Sequence, residues 1–188
     1  MEAKKVVQLF QEIEKSWGSF DDFPALEPRV DPMPHLSRNT VSQPFFLASE
    51  ADQNLINVSG EGEIWFGGEI PERMRLVAGD SVYLPAGIPS RIITHTPSLQ
   101  VRFKAEPADR EAVVWYCNGC GAVVSWQDIG ATIEIPQEEY WAAVGTFNKD
   151  AEQRTCSNCK LVHDEVDLGD IAWPDVAKAI REASQSDD

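Results

Sequence analysis

Four cysteines carry the clearest chemistry in this chain, and they fall into two Cys-x-x-Cys pairs, Cys117-Asn118-Gly119-Cys120 and Cys156-Ser157-Asn158-Cys159. Each pair can sit on a tight turn and offer two thiolates to one ion, and two such turns brought together make a tetrahedral all-sulfur site. Soft thiolates in that geometry select zinc or iron. Gly121, just after the first pair, suits a turn that needs an unhindered backbone. Two disulfides or four unrelated thiols are the alternatives; disulfides are disfavoured without an export signal. Four thiolates saturate the ion and leave no position for substrate, so the site is read as structural, or as a one-electron carrier if it holds iron.

The elements that must position these thiols begin with residues 4–17, where Val6, Val7, Leu9, Phe10, Ile13 and Trp17 recur at helical spacing. Four prolines between Phe23 and Pro34 then force an extended path. From Val41 to Phe103, short runs rich in β-branched and aromatic residues alternate with Gly- and Pro-containing turns. Strands are predicted at 55–58, 63–66, 74–76, 81–84, 91–93 and 99–103, the pattern of an all-β sandwich or barrel. Residues 104–112 read as a linker, the stretch Gly121 to Thr155 as a long loop folding back over the barrel, and Trp173 to Ala183 as a last short helix before a frayed tail over 184–188. The expected divisions are 1–35 (helix and proline-rich segment), 36–112 (barrel), 113–168 (cysteine-bearing segment) and 169–188 (helix and tail).

The formal net charge of −15 excludes the basic surface that nucleic-acid binding requires. No run approaches the roughly 18 apolar residues of a membrane span. The opening residues Met1 to Val6 lack the apolar core of an export signal, so a cytoplasmic protein is expected.

Two segments bearing the cysteines, Val114-Trp115-Tyr116-Cys117-Asn118-Gly119-Cys120-Gly121 and Cys156-Ser157-Asn158-Cys159-Lys160-Leu161-Val162-His163, resemble the rubredoxin-like appendage of bacterial 3-hydroxyanthranilate 3,4-dioxygenases. Gly79-Asp80-Ser81-Val82-Tyr83-Leu84-Pro85-Ala86-Gly87 looks like the second motif of the cupin barrel. The resemblance covers roughly residues 36–165. It implies a cupin-type β-barrel (a jelly roll) with a four-cysteine appendage and flanking helices. It also implies ring cleavage with O2 at a ferrous ion held by two His and one Glu inside the barrel.

The ligand positions the resemblance assigns are not filled by ligands. Ser90 stands where the second motif places its His, and Gln53 stands where the first places its Glu. Phe45 to Gln53, which looks shortened, has no histidine for the remaining position. The chain holds three histidines in all: His35 in the proline-rich segment, His95 at the opposite strand parity from Ser90, and His163 beside the last cysteine pair, where it is expected to hydrogen-bond. Glu50, Glu61 and Glu63 sit at turn or edge positions and are expected to be solvated.

The reading is therefore a divergent relative that has lost the catalytic iron and keeps one Fe or Zn ion on its cysteines. It is expected to bind a small aromatic or carboxylate ligand in the barrel, with Gln53 and Ser90 as candidate pocket residues, and to act by metal-independent chemistry or as a homodimer or partner of another enzyme. An oxygenase with an altered ligand set involving His95, and a rubredoxin-like electron carrier, are the alternatives. An arginine inside the barrel would suit a carboxylate. For Arg73, Arg91, Arg75 and Arg102 a surface salt bridge is the expectation, because strand parity is not fixed by sequence. Trp65, Trp115, Trp126, Trp141 and Tyr83 are expected to pack in the core and between segments.

Overall fold

The computed structural model describes residues 23–24, 32–68, 72–105, 110–130, 135–169, 171 and 173–185. The helix expected over 4–17 and the end of the tail lie outside them. The described chain is mainly strand, as its alternation of branched and polar residues predicts. Strand β4 (Gln53–Ser59) shows the pattern plainly: Gln53, Leu55 and Asn57 are buried, and the residues between them are more exposed.

Among the described residues, eleven strands form two antiparallel sheets. The first has five strands in the order β1 (Phe23–Pro24), β2 (Met33–Asn39), β9 (Ser98–Lys104), β4, β7 (Ser81–Leu84). The second has six, in the order β11 (Val123–Ile129), β10 (Glu111–Tyr116), β3 (Phe46–Ser49), β8 (Ser90–Thr94), β5 (Gly62–Phe66), β6 (Glu72–Leu76). Neighbours such as β2 with β9 and β3 with β8 are far apart in sequence, so the chain passes repeatedly from one sheet to the other. That is the cupin-type jelly roll, in which pairing of distant strands closes the barrel.

Paired register fixes which residues look inward, because residues opposite each other in an antiparallel pair share a face. Leu55 and Leu84 of the first sheet meet Ile64, Leu76 and Ile92 of the second in one apolar core. Arg102 lies opposite both His35 and Leu55, so it too faces the inner wall.

The second sheet is wider than the first. Beyond the barrel, on the face that carries Leu47 and Val113, two helices cover it: α1 (Pro136–Asn148) and α2 (Trp173–Gln185). Phe45, Leu47, Val113, Trp115 and Ile129 pack there against Tyr140, Val144, Phe147 and Trp173. Trp115 stacks on Phe147 with ring centres 4.2 Å apart. Helix α1 begins with Pro136 in its first turn and Glu138 and Glu139 beside the positive end of its dipole, both favourable there.

Two sequence expectations need correction here. The stretch 104–112 is not all linker: Lys104 closes β9 and Glu111 opens β10. The stretch from Gly121 to Thr155 is not a loop, since it supplies β11 and α1. The line drawn at residue 113 falls inside β10, which pairs with β3 of the barrel over Val114↔Phe46 to Glu111↔Ser49. Among the described residues no helix is long and apolar enough to cross a membrane.

Candidate metal centre and barrel interior

Strand β10 delivers the first cysteine pair. Its register with β11 shifts between Trp115 and Tyr116, an irregularity that turns the chain out of the sheet just before Cys117. The second pair follows a turn after α1. Each pair then folds by the same bonds. The amide of Cys117 donates to Ala122 O (2.7 Å) and that of Cys156 to Leu161 O (2.8 Å). The amide of Gly121 donates to Cys117 O (2.8 Å) and that of Lys160 to Cys156 O (3.0 Å). Gly121 and Lys160, each one residue past a pair, both take positive φ, 73° and 65°. Two turns of identical design thus face each other.

Their sulfurs converge. Cys117 Sγ lies 3.5 Å from Cys159 Sγ, Cys120 Sγ lies 3.6 Å from Cys156 Sγ, and all four ligand atoms fall within 4.8 Å of one another. The cysteines are free rather than disulfide-bonded. Four sulfurs about 2.3 Å from one tetrahedral ion stand roughly 3.8 Å apart, so the donor set fits a zinc or iron ion. Among the described residues, this is the one set of three or more His, Cys, Asp or Glu side chains gathered closely enough to share an ion.

The surroundings favour thiolate at Cys120 and Cys156. The Ala122 amide and the Asn158 side chain hold the Cys120 thiol down to about 6. The amide of Cys159 lowers Cys156. At Cys159 the Leu161 amide pulls the same way, but crowding by Cys117 and Cys120 prevails and the thiol is pushed up to about 11. Without an ion, four sulfurs this close hold protons between them; a bound cation displaces those protons. His163 sits beside the centre as expected, its Nε2 accepting the Asn118 amide at 3.3 Å.

The barrel interior is a polar wall facing an apolar one. On the first sheet the inward residues include His35, Ser37, Asn39, Gln100, Arg102, Gln53 and Asn57, all buried. Asn39 Nδ2 donates to Gln100 Oε1 (3.1 Å) and Ser37 Oγ to Asn39 Oδ1 (3.0 Å). Gln53 opens β4 and Ser90 opens β8, each buried on the inner face of its own sheet. The turn before Ser90 is pinned by Asp52, whose Oδ1 accepts the Ala86 amide at 2.8 Å.

Arg102 corrects one expectation: it is no surface salt bridge but a guanidinium 5% exposed on the inner wall. Among the described residues no carboxylate or other polar group takes its protons. Arg91 is half-buried, its Nε donating to Gln43 O at 2.6 Å, and Arg73 lies over the Trp65 ring, 3.9 Å from its centre. Of the four arginines, Arg75 alone keeps the expected surface pair, with Glu61 at 3.2 Å. His95 is half-exposed, 3.7 Å from Glu63, outside the inner wall.

The aromatics divide more sharply than expected. Trp115 is buried, but Trp126 (47%), Trp141 (47%) and Tyr83 (60%) are exposed. Trp126 lies on the edge strand β11, Tyr83 on the edge strand β7, and Trp141 on the outer side of α1 beside buried Tyr140. Gln43 went unnoticed in the sequence. It is fully buried and bonds Phe45 O (2.9 Å) and Ser90 O (3.4 Å), tying the approach to β3 onto β8. A lone glutamine before a proline carries no pattern that could have announced it.

No family model matches the chain, and no curated protein matches it. Among solved structures it is similar to hydroquinone 1,2-dioxygenase PnpCD in complex with Cd2+ and 4-hydroxybenzonitrile (16% identity, 56% of this chain and 80% of that one, TM-score 0.45). It is also similar to hydroquinone 1,2-dioxygenase from Sphingomonas sp. TTNP3 with 4-hydroxybenzoate bound (13% identity, 56% and 81%, TM-score 0.45). A third likeness is to a cupin-2 domain protein from Shewanella frigidimarina (14% identity, 54% and 95%, TM-score 0.46). What this barrel binds is read from its own residues.

Proposed function

We propose that this chain is a divergent relative of the 3-hydroxyanthranilate dioxygenases in which the ring-cleaving iron site has been replaced by a metal-free barrel that binds a small organic carboxylate. The four cysteines keep a zinc or iron ion whose role is structural. It fastens the segment after β10 to the segment after α1, where His163 also meets Asn118.

The observation that carries the reading is Arg102. Arginine stays protonated at any pH the fold survives, and a buried charge needs a counter-charge or a full set of hydrogen bonds. The chain supplies neither among its described residues. A carboxylate fits the fork of the guanidinium with two parallel bonds. The neighbouring polar wall, with Gln53 and Gln100, offers further partners for its substituents. Gln53 and Ser90, where the resemblance expects ligands, hold no atom set able to bind Fe(II).

Calorimetric titration with a panel of small carboxylates tests the reading. An acid from the panel should bind the wild-type protein and bind Arg102→Gln at least roughly tenfold more weakly, since a charge-assisted hydrogen bond contributes about 1.5–3 kcal/mol. Oxygen consumption by the purified protein with 3-hydroxyanthranilate would contradict the loss of the iron site.

A further inference from the structure

At the rim of the barrel, outside the inner wall, a groove of about 430 Å³ runs between the cysteine turn and the β5–β6 hairpin. That volume lies in the range of small-molecule sites. Its lining comes from one end of the second sheet, where Trp65, Arg73 and Arg91 of the outer face meet Phe66 and Trp115 of the other face. The register sets Arg91 of β8 opposite Trp65 of β5, and Trp65 opposite Arg73 of β6, so the three side chains stand in a row. Trp65 is held in place by its indole N–H, which donates to Glu63 at 2.6 Å. Arg73 caps its ring. Next in the row, Phe46 meets Tyr116 edge to face at 4.9 Å, and the Arg91 guanidinium lies 6.0 Å from the Phe46 ring. Gly67 makes room for this arrangement, because any Cβ there would run into the Tyr116 ring.

Arg91 has the same unmet need as Arg102. Its Nε is satisfied by Gln43 O, but among the described residues its terminal nitrogens face the groove with no carboxylate in reach. Burial pushes its pKa below the usual guanidinium range, and no neighbouring charge offsets that burial. Two guanidiniums and an aromatic floor in one concave site form a receptor for a planar anion. Glu72, Asp164 and Cys117 of the thiolate centre also line the groove. These negative groups disfavour a dianion such as phosphate, so a ligand with a single negative charge suits the two guanidiniums better.

We propose that this groove is a binding site, separate from the barrel interior, for an aromatic monocarboxylate, with the carboxylate on Arg91 and the ring on the Trp65–Phe46 floor. The site stands independently of the reading given for Arg102.

The test titrates benzoate into the full-length, metal-loaded protein, with binding constants from calorimetry and the Trp65 indole followed by NMR. Benzamide, acetate and inorganic phosphate are run in parallel. Benzoate should bind and shift the Trp65 resonance, and the other three should bind roughly tenfold more weakly or worse. Arg91→Gln should weaken benzoate roughly tenfold or more. Arg73→Gln alters an exposed side chain and keeps the fold intact; it should weaken benzoate about two- to fivefold. The proposal is overturned if benzoate does not bind, if benzamide binds as well, or if both arginine variants keep the wild-type constant. It is equally overturned if Arg102→Gln abolishes binding and Arg91→Gln does not.

Discussion

Gly121 and Lys160 occupy equivalent places in the two cysteine turns, yet only one is the residue that positive φ favours. A β-branched side chain at Gly121 would clash with its own backbone at a cost of roughly 1–2 kcal/mol. Gly121→Val should therefore lower the thermal midpoint of the metal-loaded protein and speed metal loss to a chelator; an unchanged midpoint would separate this turn from metal holding. The thiols set the pH dependence. With Cys120 held at about 6 and Cys159 at about 11, the metal-free cluster still carries protons at neutral pH, and binding an ion releases them. Affinity should thus rise with pH from 6 to 8, measured by competition with a chromophoric chelator. At this scale the sequence was legible wherever spacing alone decides. Two Cys-x-x-Cys pairs announce their site without any fold. Arg102 was not legible, because its direction depends on pairing with His35 and Leu55, both far away in sequence.

Among the elements, the junction of β9, β10 and α1 holds the two sheets and the helix pair together. Lys104 Nζ lies 2.9 Å from Glu111 Oε1, both nearly buried, and the Tyr140 hydroxyl donates to Glu111 Oε2 at 3.3 Å. Removing Glu111 takes a buried carboxylate away from both Lys104 and the Tyr140 hydroxyl. Glu111→Ala should cost about 3 kcal/mol of unfolding free energy in urea melts; a loss below 1 kcal/mol would show that the junction carries little. Helix α1 could have been found beforehand. Tyr140, Ala143, Val144 and Phe147 fall at i, i+3, i+4 and i+7 after a proline and two acids, the signature of an amphipathic helix start. Reading 121–155 as a loop between metal ligands hid it. Strands β4, β5 and β7 were legible because short runs with branched or aromatic residues stop directly at Gly60, Gly67 and Pro85. Strand β10 was harder: its buried run Ala112 to Trp115 is covered on both faces and shows no alternation.

Across the whole molecule, a net charge of −15 surrounds a barrel whose inner wall and rim each present an arginine with no anion among the described residues. That inversion of charge, acidic outside and cationic within, suits capture of a small acid rather than of nucleic acid. Acid stability should reflect the turn beside Ser90. The Ala86 amide, helped by the Tyr83 hydroxyl, holds the Asp52 carboxyl below its ordinary value. A depressed folded pKa contributes stability above the unfolded value of about 3.9, and that contribution is lost as pH falls through the folded one. Asp52→Asn should accordingly flatten the decline of the urea midpoint below pH 4, and an unaltered decline would place the acid sensitivity elsewhere.

The most direct test of the account is metal content per chain, by mass spectrometry, on protein purified without added metal and again after anaerobic loading with Fe(II). One equivalent in both preparations, lost when Cys117 or Cys156 is replaced by serine, is the predicted result: a single thiolate-bound ion and a metal-free barrel. Two equivalents after loading, the second surviving the cysteine substitutions, would put an iron in the barrel and contradict the account.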